Sequence, residues 1–280
     1  MNRFRFVLIF AASLLPVTGS GASLVDRFHD LSCAVVRIDI DGGSGTGFFV
    51  NKTGRLLTAA HVVYDKQWGL KNSQIEFSVT PKQHPKMMRS DGTIMPIKIM
   101  QPDDAGKIVA EVDLAVVETG IDSSCYIPIG DSSGLKVGQH LISIGFPASN
   151  PTGVLYDGFL SAEHTHLPVP IGHVEGHAET AIIARYEVLR VQMPITPGAS
   201  GAPVIDDNDQ VVGIMSESPI IITNDIQSII KTFGTTGLGS GITLSGFDTT
   251  KILAELAWVV SQFETPGSGY AVPVQYLKQN

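Results

Sequence analysis

The chain has 280 residues, of which 43% are apolar, and a formal net charge of −8 at pH 7. That length allows one large domain or two small ones that share a core. The acidic balance offers no basic surface for nucleic acid and disfavours binding to anionic lipid headgroups. We therefore expect no nucleic-acid partner.

The N-terminus has the pattern of a secretory signal peptide. Arg3 and Arg5 precede an apolar stretch at residues 6–16, which is too short to span a bilayer. Small residues end at Ala22, so we predict a signal peptide over residues 1–22; the alternative is a buried N-terminal strand. The mature chain would then be exported, periplasmic or secreted, with no stable membrane anchor after cleavage.

Short strand-like segments rich in β-branched and aromatic residues follow, separated by turns rich in Gly, Asn and Asp. They cover residues 34–40, 47–50, 75–79, 94–100, 112–117, 140–145, 182–192 and 211–215. Many short strands at close spacing are typical of all-β barrels or sandwiches, so the sequence predicts an all-β fold.

Three residues in these segments could act together in catalysis. His61 has an apolar setting at the end of a predicted strand, Asp113 lies in the apolar segment 112–117, and Ser200 stands among the glycines of residues 198–201. Taken singly, a buried histidine is usually a core residue, and a Gly/Ser/Pro cluster is usually a turn. A buried carboxylate is costly without a partner, however, so Asp113 needs a donor such as an imidazole N–H.

The order of the three residues distinguishes among the known serine triads. All eight histidines precede Ser200, which excludes the order with histidine last. An aspartate does precede His61, but His61 lacks the glycine-rich helix start that the order Asp, His, Ser requires. The order His61, Asp113, Ser200 is the one that fits without difficulty.

With these motifs, the chain resembles a trypsin-like serine endopeptidase and is closest to the bacterial HtrA (DegP-like) branch. The resemblance runs from about residue 33 to 275 and rests on residues 43–50, 58–61, 113–116, 129–132, 143–147, 198–201 and 267–273. Few residues follow Pro273, so we expect no PDZ domain.

The resemblance implies a fold and a domain organisation. Residues 23–280 would form the protease domain, built from two six-stranded antiparallel β-barrels. The first barrel would span about residues 33–120 and the second about 128–275, with the active site in the cleft between them.

The resemblance also implies a role for each motif residue. His61 would be the general base, Asp113 would orient it, and Ser200 would be the nucleophile. The backbone N–H groups of Gly198 and Ser200 would form the oxyanion hole. No metal or organic cofactor is needed, and the partners would be protein or peptide substrates.

The substrate pocket follows from the same resemblance. Pro194 would lie at the base of the primary specificity pocket, and Ser216, Glu217 and Ser218 would form its wall. Proline offers no charge to select Lys or Arg, so we expect a small or medium apolar P1 residue. Two alternatives stay open: a catalytically inactive scaffold that binds peptides or a partner protein, and an acyl hydrolase on the same fold.

Cys33 and Cys125 are the only cysteines. An even count in an exported protein suggests one disulfide. In some trypsin-like enzymes a disulfide ties the N-terminal segment to the connection between the barrels, so the resemblance makes this pairing plausible. Two free thiols are the alternative.

Two regions depart from the pattern of short strands. Apolar residues at helical spacing predict two amphipathic helices between residues 221 and 265, within an insertion at about 219–265. That insertion would either restrict which substrates enter or pack away from the cleft.

The other region contains histidines at spacings that can bind zinc. The region is rich in Gly and Pro and offers no clear fourth ligand, so we predict a solvated loop and no metal site. The histidines are His164, His166, His173 and His177.

Overall fold

A computed structural model describes residues 22–41, 43–71, 74–147, 150–174, 177–193, 196–217, 243–244, 247–248 and 267–278. Within these ranges the helices are α1 (Leu24–Ser32), α2 (Ala60–Val63), α3 (Asp104–Glu111) and a 3₁₀-helix (Val274–Lys278). None of the helices in these ranges has the length and apolar content to cross a membrane.

Strands dominate the described residues, as the all-β prediction requires. The first half contains β1 (Val35–Ile40), β2 (Gly43–Phe49), β3 (Arg55–Ala59), β4 (Tyr64–Lys71), β5 (Gln74–Pro81), β6 (Lys86–Met88), β7 (Ile94–Pro96) and β8 (Leu114–Glu118). The second half contains β9 (His140–Gly145), β10 (Val154–Val174), β11 (His177–Val191), β12 (Pro203–Ile205), β13 (Val211–Glu217), β14 (Thr243–Leu244), β15 (Phe247–Asp248) and β16 (Gly269–Pro273).

The second half forms a closed six-stranded barrel in the order β10-β11-β16-β13-β12-β9. Its neighbouring strands are antiparallel throughout. Inside it lies an apolar cluster that includes Leu141, Leu160, Leu189 and Val204. The predicted C-terminal barrel is therefore confirmed.

The first half forms a six-stranded sheet in the order β7-β6-β1-β2-β3-β8. The number of strands agrees with the prediction. In the described residues β7 and β8 are the edges of this sheet, so its closure into a barrel stays a prediction. A separate hairpin, β4–β5, packs beside it.

Alternate residues of this sheet contribute to two different cores. Phe48 and Leu57 are paired across β2 and β3, and both pack into an apolar cluster shared with the second barrel. Their neighbours Phe49 and Leu56 face the other way, toward α2 and the β4–β5 hairpin. Because both faces are covered, these strands are apolar at successive positions. The shared core holds the two halves together and defines the cleft between them.

The structure corrects the prediction for the histidine-rich region. Residues 164–174 and His177 are not a loop but belong to the distal part of a long antiparallel hairpin formed by β10 and β11. The Gly and Pro content suggested a loop, yet the pairing continues past Pro168 and Pro170. Pro168 pairs with Arg185 in regular register, and a register shift follows Pro170.

A second correction concerns the segment that contains Asp113. The predicted strand at 112–117 begins only at Leu114, and it is preceded by the unpredicted helix α3. The side chain of Asp103 caps this helix by accepting a hydrogen bond from the Gly106 N–H at 2.8 Å. Asp113 therefore lies in the turn between a helix and a strand.

The N-terminal helix α1 was also not predicted. Ser23 caps it, and its hydroxyl accepts from the Asp26 N–H while the Asp26 carboxylate accepts from Ser23 in return. All of the predicted signal peptide except Ala22 lies outside the described residues. The predicted helices between 221 and 265 also lie outside the described residues. Within that stretch the structure describes only the short strand pair β14–β15.

A disulfide joins Cys33, just after α1, to Cys125, in the segment between the two halves. Their Cα atoms are 5.7 Å apart, although 92 positions separate them in sequence. The bridge thus ties the N-terminal segment to the connection that leads into the second barrel.

Candidate active site

His61 is presented to the cleft by the single-turn helix α2. Its neighbours Ala60, Val62 and Val63 are buried and anchor the turn, whereas the His61 side chain is 39% exposed. An apolar run with one polar member therefore places the imidazole at the surface of a rigid core.

Asp113 lies opposite, in an uncommon backbone conformation. Its φ is +66°, in the left-handed region that residues other than glycine seldom adopt. Backbone bonds on both sides hold it there, from its N–H to Ala110 O at 3.1 Å and from the Ala60 N–H to its carbonyl at 3.0 Å. This turn directs the carboxylate toward α2.

The Asp113 carboxylate is fully buried and accepts four hydrogen bonds. Oδ1 accepts from the His61 backbone N–H at 2.9 Å and from Lys66 Nζ at 2.7 Å. Oδ2 lies 2.7 Å from His61 Nδ1 and accepts from Ser216 Oγ at 2.5 Å. Burial alone would raise the pKa of Asp113, but His61 and then Lys66 outweigh it and hold that pKa well below its usual range. The carboxylate is thus ionised and fixed in orientation.

Ser200 lies in a tight turn that contains two glycines with positive φ. The φ of Gly198 is +93° and that of Gly201 is +89°. A Cβ at Gly201 would collide with the carbonyl oxygen of Thr46 and the hydroxyl of Thr58. Glycine is therefore required here both by the backbone angle and by the close approach of the first sheet.

Thr46 of β2 joins the first sheet to this turn. It is fully buried, and its N–H donates to Ser200 O at 2.8 Å while its hydroxyl donates to Gly198 O at 2.7 Å. The same hydroxyl accepts from the Phe146 N–H at 3.0 Å. One threonine thus positions the serine turn relative to both halves of the molecule.

The Ser200 hydroxyl donates to the Ser216 carbonyl oxygen at 3.1 Å. In this conformation it does not donate to His61, although both side chains line the same cleft. Two backbone groups beside it, the N–H groups of Gly198 and Ser200, have no acceptor among the residues that the structure describes. Two unpaired N–H groups next to a hydroxyl form a suitable site for an oxyanion.

The cleft around Ser200 has a volume of about 330 Å³. It is lined by residues of both halves: Ile40, Asp41, Gly43, Ser44, His61, Val62, Lys82, Pro197, Gly198 and Ser200. A larger hollow of about 460 Å³ lies beside α3 and contains none of the predicted site residues. His61, Gly198 and Ser200 therefore all line the smaller cleft.

Comparison with known proteins places these observations in a family. The trypsin-like peptidase domain matches residues 45–214 of the chain, which include His61, Asp113 and Ser200. The chain belongs to this family. Among the relatives of this trypsin-like peptidase is the serine protease PepD of Mycobacterium tuberculosis, 28% identical over 214 residues, or 75% of this chain and 41% of PepD.

A probable periplasmic DegP-like serine endoprotease of Chlamydia pneumoniae is also 28% identical, over 170 residues, or 61% of this chain and 28% of that protein. The chain thus matches less than half the length of these two relatives. Among solved structures, the HtrA-type protease AlgW with a tripeptide aligns with a TM-score of 0.56 and 16% identity, over 92% of this chain and 62% of that one. The resemblance to the HtrA branch is confirmed, and so is the trypsin-like fold.

The predicted pocket residues of this trypsin-like peptidase are described only in part. Pro194, Ser218 and the side chain of Glu217 lie outside the described residues. Ser216 is described, and its side chain faces inward to Asp113 while its carbonyl accepts from Ser200. The substrate contacts of all four residues stay predictions.

Among the contacts of the predicted triad, sequence reasoning missed Thr46 and Lys66. Thr46 lies within a motif used for the family resemblance, and its position between glycines was an available signal. Lys66 carries no local signal, because its contact with Asp113 spans 47 positions. Within the described ranges, no group of three or more His, Cys, Asp or Glu side chains is arranged to hold a metal ion.

Proposed function

We propose that this chain is a serine endopeptidase that hydrolyses peptide bonds through His61, Asp113 and Ser200 and an acyl-enzyme intermediate. The observation that carries the proposal is the arrangement around one cleft. His61 Nδ1 lies 2.7 Å from a buried carboxylate, and Ser200 stands beside two N–H groups that no described residue accepts from. These are the parts that acyl transfer needs, namely a base, an orienting carboxylate, a nucleophile and an oxyanion site.

In the first step the Ser200 hydroxyl leaves its bond to the Ser216 carbonyl and turns to His61 Nε2. Rotation about the serine χ1 moves Oγ between staggered positions. His61 takes the proton as Oγ attacks the scissile carbonyl carbon, and Asp113 stabilises the imidazolium through Nδ1–H. The bond from Ser216 Oγ to Asp113 keeps the carboxylate in place during this transfer.

The tetrahedral intermediate carries its negative charge on the former carbonyl oxygen. The N–H groups of Gly198 and Ser200 would bind that oxygen, since neither has another acceptor within the described ranges. Thr46 holds the Gly198 carbonyl, which fixes the adjoining peptide plane. On this proposal the oxyanion site would be formed before substrate binds.

The second half of the reaction reverses the roles. His61 gives its proton to the leaving amine, and the C–N bond breaks to leave an ester on Ser200. Water then enters the cleft, loses a proton to His61 and attacks the ester, which releases the new carboxyl group and restores Ser200.

We further propose that the protein acts after export, in the periplasm or outside the cell, on protein or peptide substrates. The signal-like N-terminus, the disulfide and the DegP-like relatives support this. The insertion at 219–265 follows β13 directly and ends just before β16, so both its ends are attached to paired strands of the second barrel. It would restrict entry to the cleft; a distant appendage is the alternative.

The decisive experiment compares the mature protein with its Ser200→Ala variant, using a fluorophosphonate probe and a peptide library. We expect labelling and cleavage in the parent and neither in Ser200→Ala. Ser133→Ala is the matched control, because Ser133 is an exposed serine in a turn of the second half. Peptide cleavage that persists in purified Ser200→Ala would exclude the proposed nucleophile. A parent protein that binds peptides without labelling or cleavage would support the inactive scaffold.

A further inference from the structure

A lysine contacts the oxygen of the Asp113 carboxylate that the imidazole does not contact. Lys66 Nζ lies 2.7 Å from Asp113 Oδ1, and its side chain is 23% exposed. We propose that Lys66 is a positioning residue of the triad: it supplies the charge that balances Asp113, so that His61 rests in its neutral, proton-accepting form. The inference rests on the proposed function.

The position of Lys66 is set by the hairpin that follows α2. Lys66 lies on β4, five residues after His61, and pairs in register with Val79 of β5, which is buried. At the end of the same hairpin, Lys82 Nζ donates to the His61 carbonyl at 2.7 Å. The hairpin is therefore attached to the catalytic region at two points, and Lys66 is not a freely moving surface side chain.

The charges around Asp113 show why a cation matters there. Of the four donors to the carboxylate, the His61 N–H, the Ser216 hydroxyl and a neutral His61 ring contribute only dipoles, whereas Lys66 contributes a full positive charge. A fully buried carboxylate without a counter-ion is strongly disfavoured. With Lys66 in place, the pair is balanced before His61 takes up any proton.

Without Lys66, His61 would be the nearest group able to supply that charge. It would do so by holding a proton at rest, and a protonated imidazole cannot accept the proton of Ser200. Removing the lysine charge should therefore move the acid limb of the pH–rate profile to higher pH. Two unit charges a few ångströms apart at a partly solvated site interact strongly enough for a shift of about one pH unit.

Among the described residues, the other charged groups near His61 do not duplicate this role. Lys82 contacts a backbone carbonyl rather than a triad side chain, and its Nζ lies 4.0 Å from the exposed Asp65. Asp41 at the rim of the cleft is exposed and paired with His84 at 2.8 Å. Solvent screens exposed charges such as Asp41, so they affect His61 little. Lys66, by contrast, directly contacts the buried carboxylate.

The test is the pH dependence of kcat/KM for four proteins: the parent, Lys66→Met, Lys66→Arg and Lys98→Met. Lys98 is an exposed lysine on the segment after β7, so its variant controls for the loss of one positive charge. We expect the acid limb of Lys66→Met to move up by about one pH unit, with a roughly tenfold loss of kcat/KM below the limb. KM should change little, and Lys66→Arg and Lys98→Met should retain the parent profile. An unshifted limb in folded Lys66→Met would overturn the inference.

A second measurement separates this inference from the proposed function. In a Ser200→Ala background, which needs no activity, NMR can follow the protonation of the His61 ring against pH with and without Lys66→Met. The midpoint should rise by the same pH interval as the acid limb. If the parent has no peptidase activity, the proposed function fails, while the NMR midpoint still decides the role of Lys66.

A neutral variant that keeps a donor tests charge against hydrogen bonding. Lys66→Gln is close in length and can still donate to Asp113, so it also serves if Lys66→Met does not fold. We expect it to shift the acid limb as Lys66→Met does. A Lys66→Gln profile identical to that of the parent would show that the contact is only a hydrogen bond, and would overturn the proposal.

Discussion

Single residues in this protein hold the site together across the boundary between its two halves. Thr46 is the clearest case, because its N–H and hydroxyl bind the serine turn while its hydroxyl also accepts from the Phe146 N–H. Its own carbonyl accepts from the Thr58 hydroxyl at 2.6 Å. A buried threonine with all its polar atoms paired has a role that valine, of nearly the same shape, cannot fill.

Thr46→Val should lower both activity and stability. The substitution leaves the buried Gly198 carbonyl and Phe146 N–H without their hydroxyl partner, which costs about 1–3 kcal/mol. Because Gly198 would no longer be fixed, kcat should fall more than KM changes. Urea unfolding and steady-state kinetics measure the two effects. Thr80→Val, at an exposed strand position, is the control and should leave both unchanged.

Among the elements, helix α1 is attached to the second barrel by ion pairs and a hydrogen bond of Arg27. Its buried Arg27 donates to Asp209 at 2.7 Å and to the Asp206 carbonyl at 2.5 Å, both in the turn between β12 and β13. Asp207 in that turn also contacts Arg27 at 3.3 Å and lies 2.6 Å from His140 Nδ1. The turn thus links the N-terminal helix to the start of β9.

The contacts of His140 make this region sensitive to pH. The hydrogen bond with Asp207 raises the pKa of His140; partial burial opposes the rise, and Asp157 at 2.6 Å adds to it. A raised folded-state pKa stabilises the protein below the unfolded pKa of about 6.5, and this contribution is lost as pH rises through the folded value. Thermal unfolding of the parent and His140→Gln should therefore differ more at pH 5 than at pH 8. An equal difference at both pH values would contradict this.

At the scale of the whole molecule, most of the architecture was predictable from local patterns. The strand β9 was predicted at its observed bounds, and the glycines around Ser200 indicated a sharp turn. These features depend on residues close together in sequence. The second barrel was predictable by family resemblance, since closure depends on pairs as distant as Leu189 and Ala271.

The parts that could not be predicted depend on distant contacts that override local preference. Asp113 adopts a left-handed backbone because bonds from both sides hold it, and nothing in an apolar run indicates that turn. Pro168 and Pro170 indicate a loop until a partner strand accommodates them. Nothing near Lys66 in the sequence indicates its contact with Asp113, because the two residues are 47 positions apart. The sequence thus singled out His61, Asp113 and Ser200 as candidates, but not the residues that contact them.

The disulfide affects the stability of the whole molecule, because it closes a loop that contains nearly all of the first half. Cys33 and Cys125 are separated by 92 positions, and a cross-link over such a loop stabilises by about 4.6 kcal/mol in the chain-entropy model. We expect mass spectrometry of the exported, non-reduced protein to show no free thiol, and a reductant to lower the urea midpoint. The double variant Cys33→Ser/Cys125→Ser is the control, whose midpoint should not respond to the reductant. Two free thiols in the exported protein would refute the bridge. A paired but insensitive protein would instead mean that the shared apolar core, rather than the cross-link, holds the first half to the second.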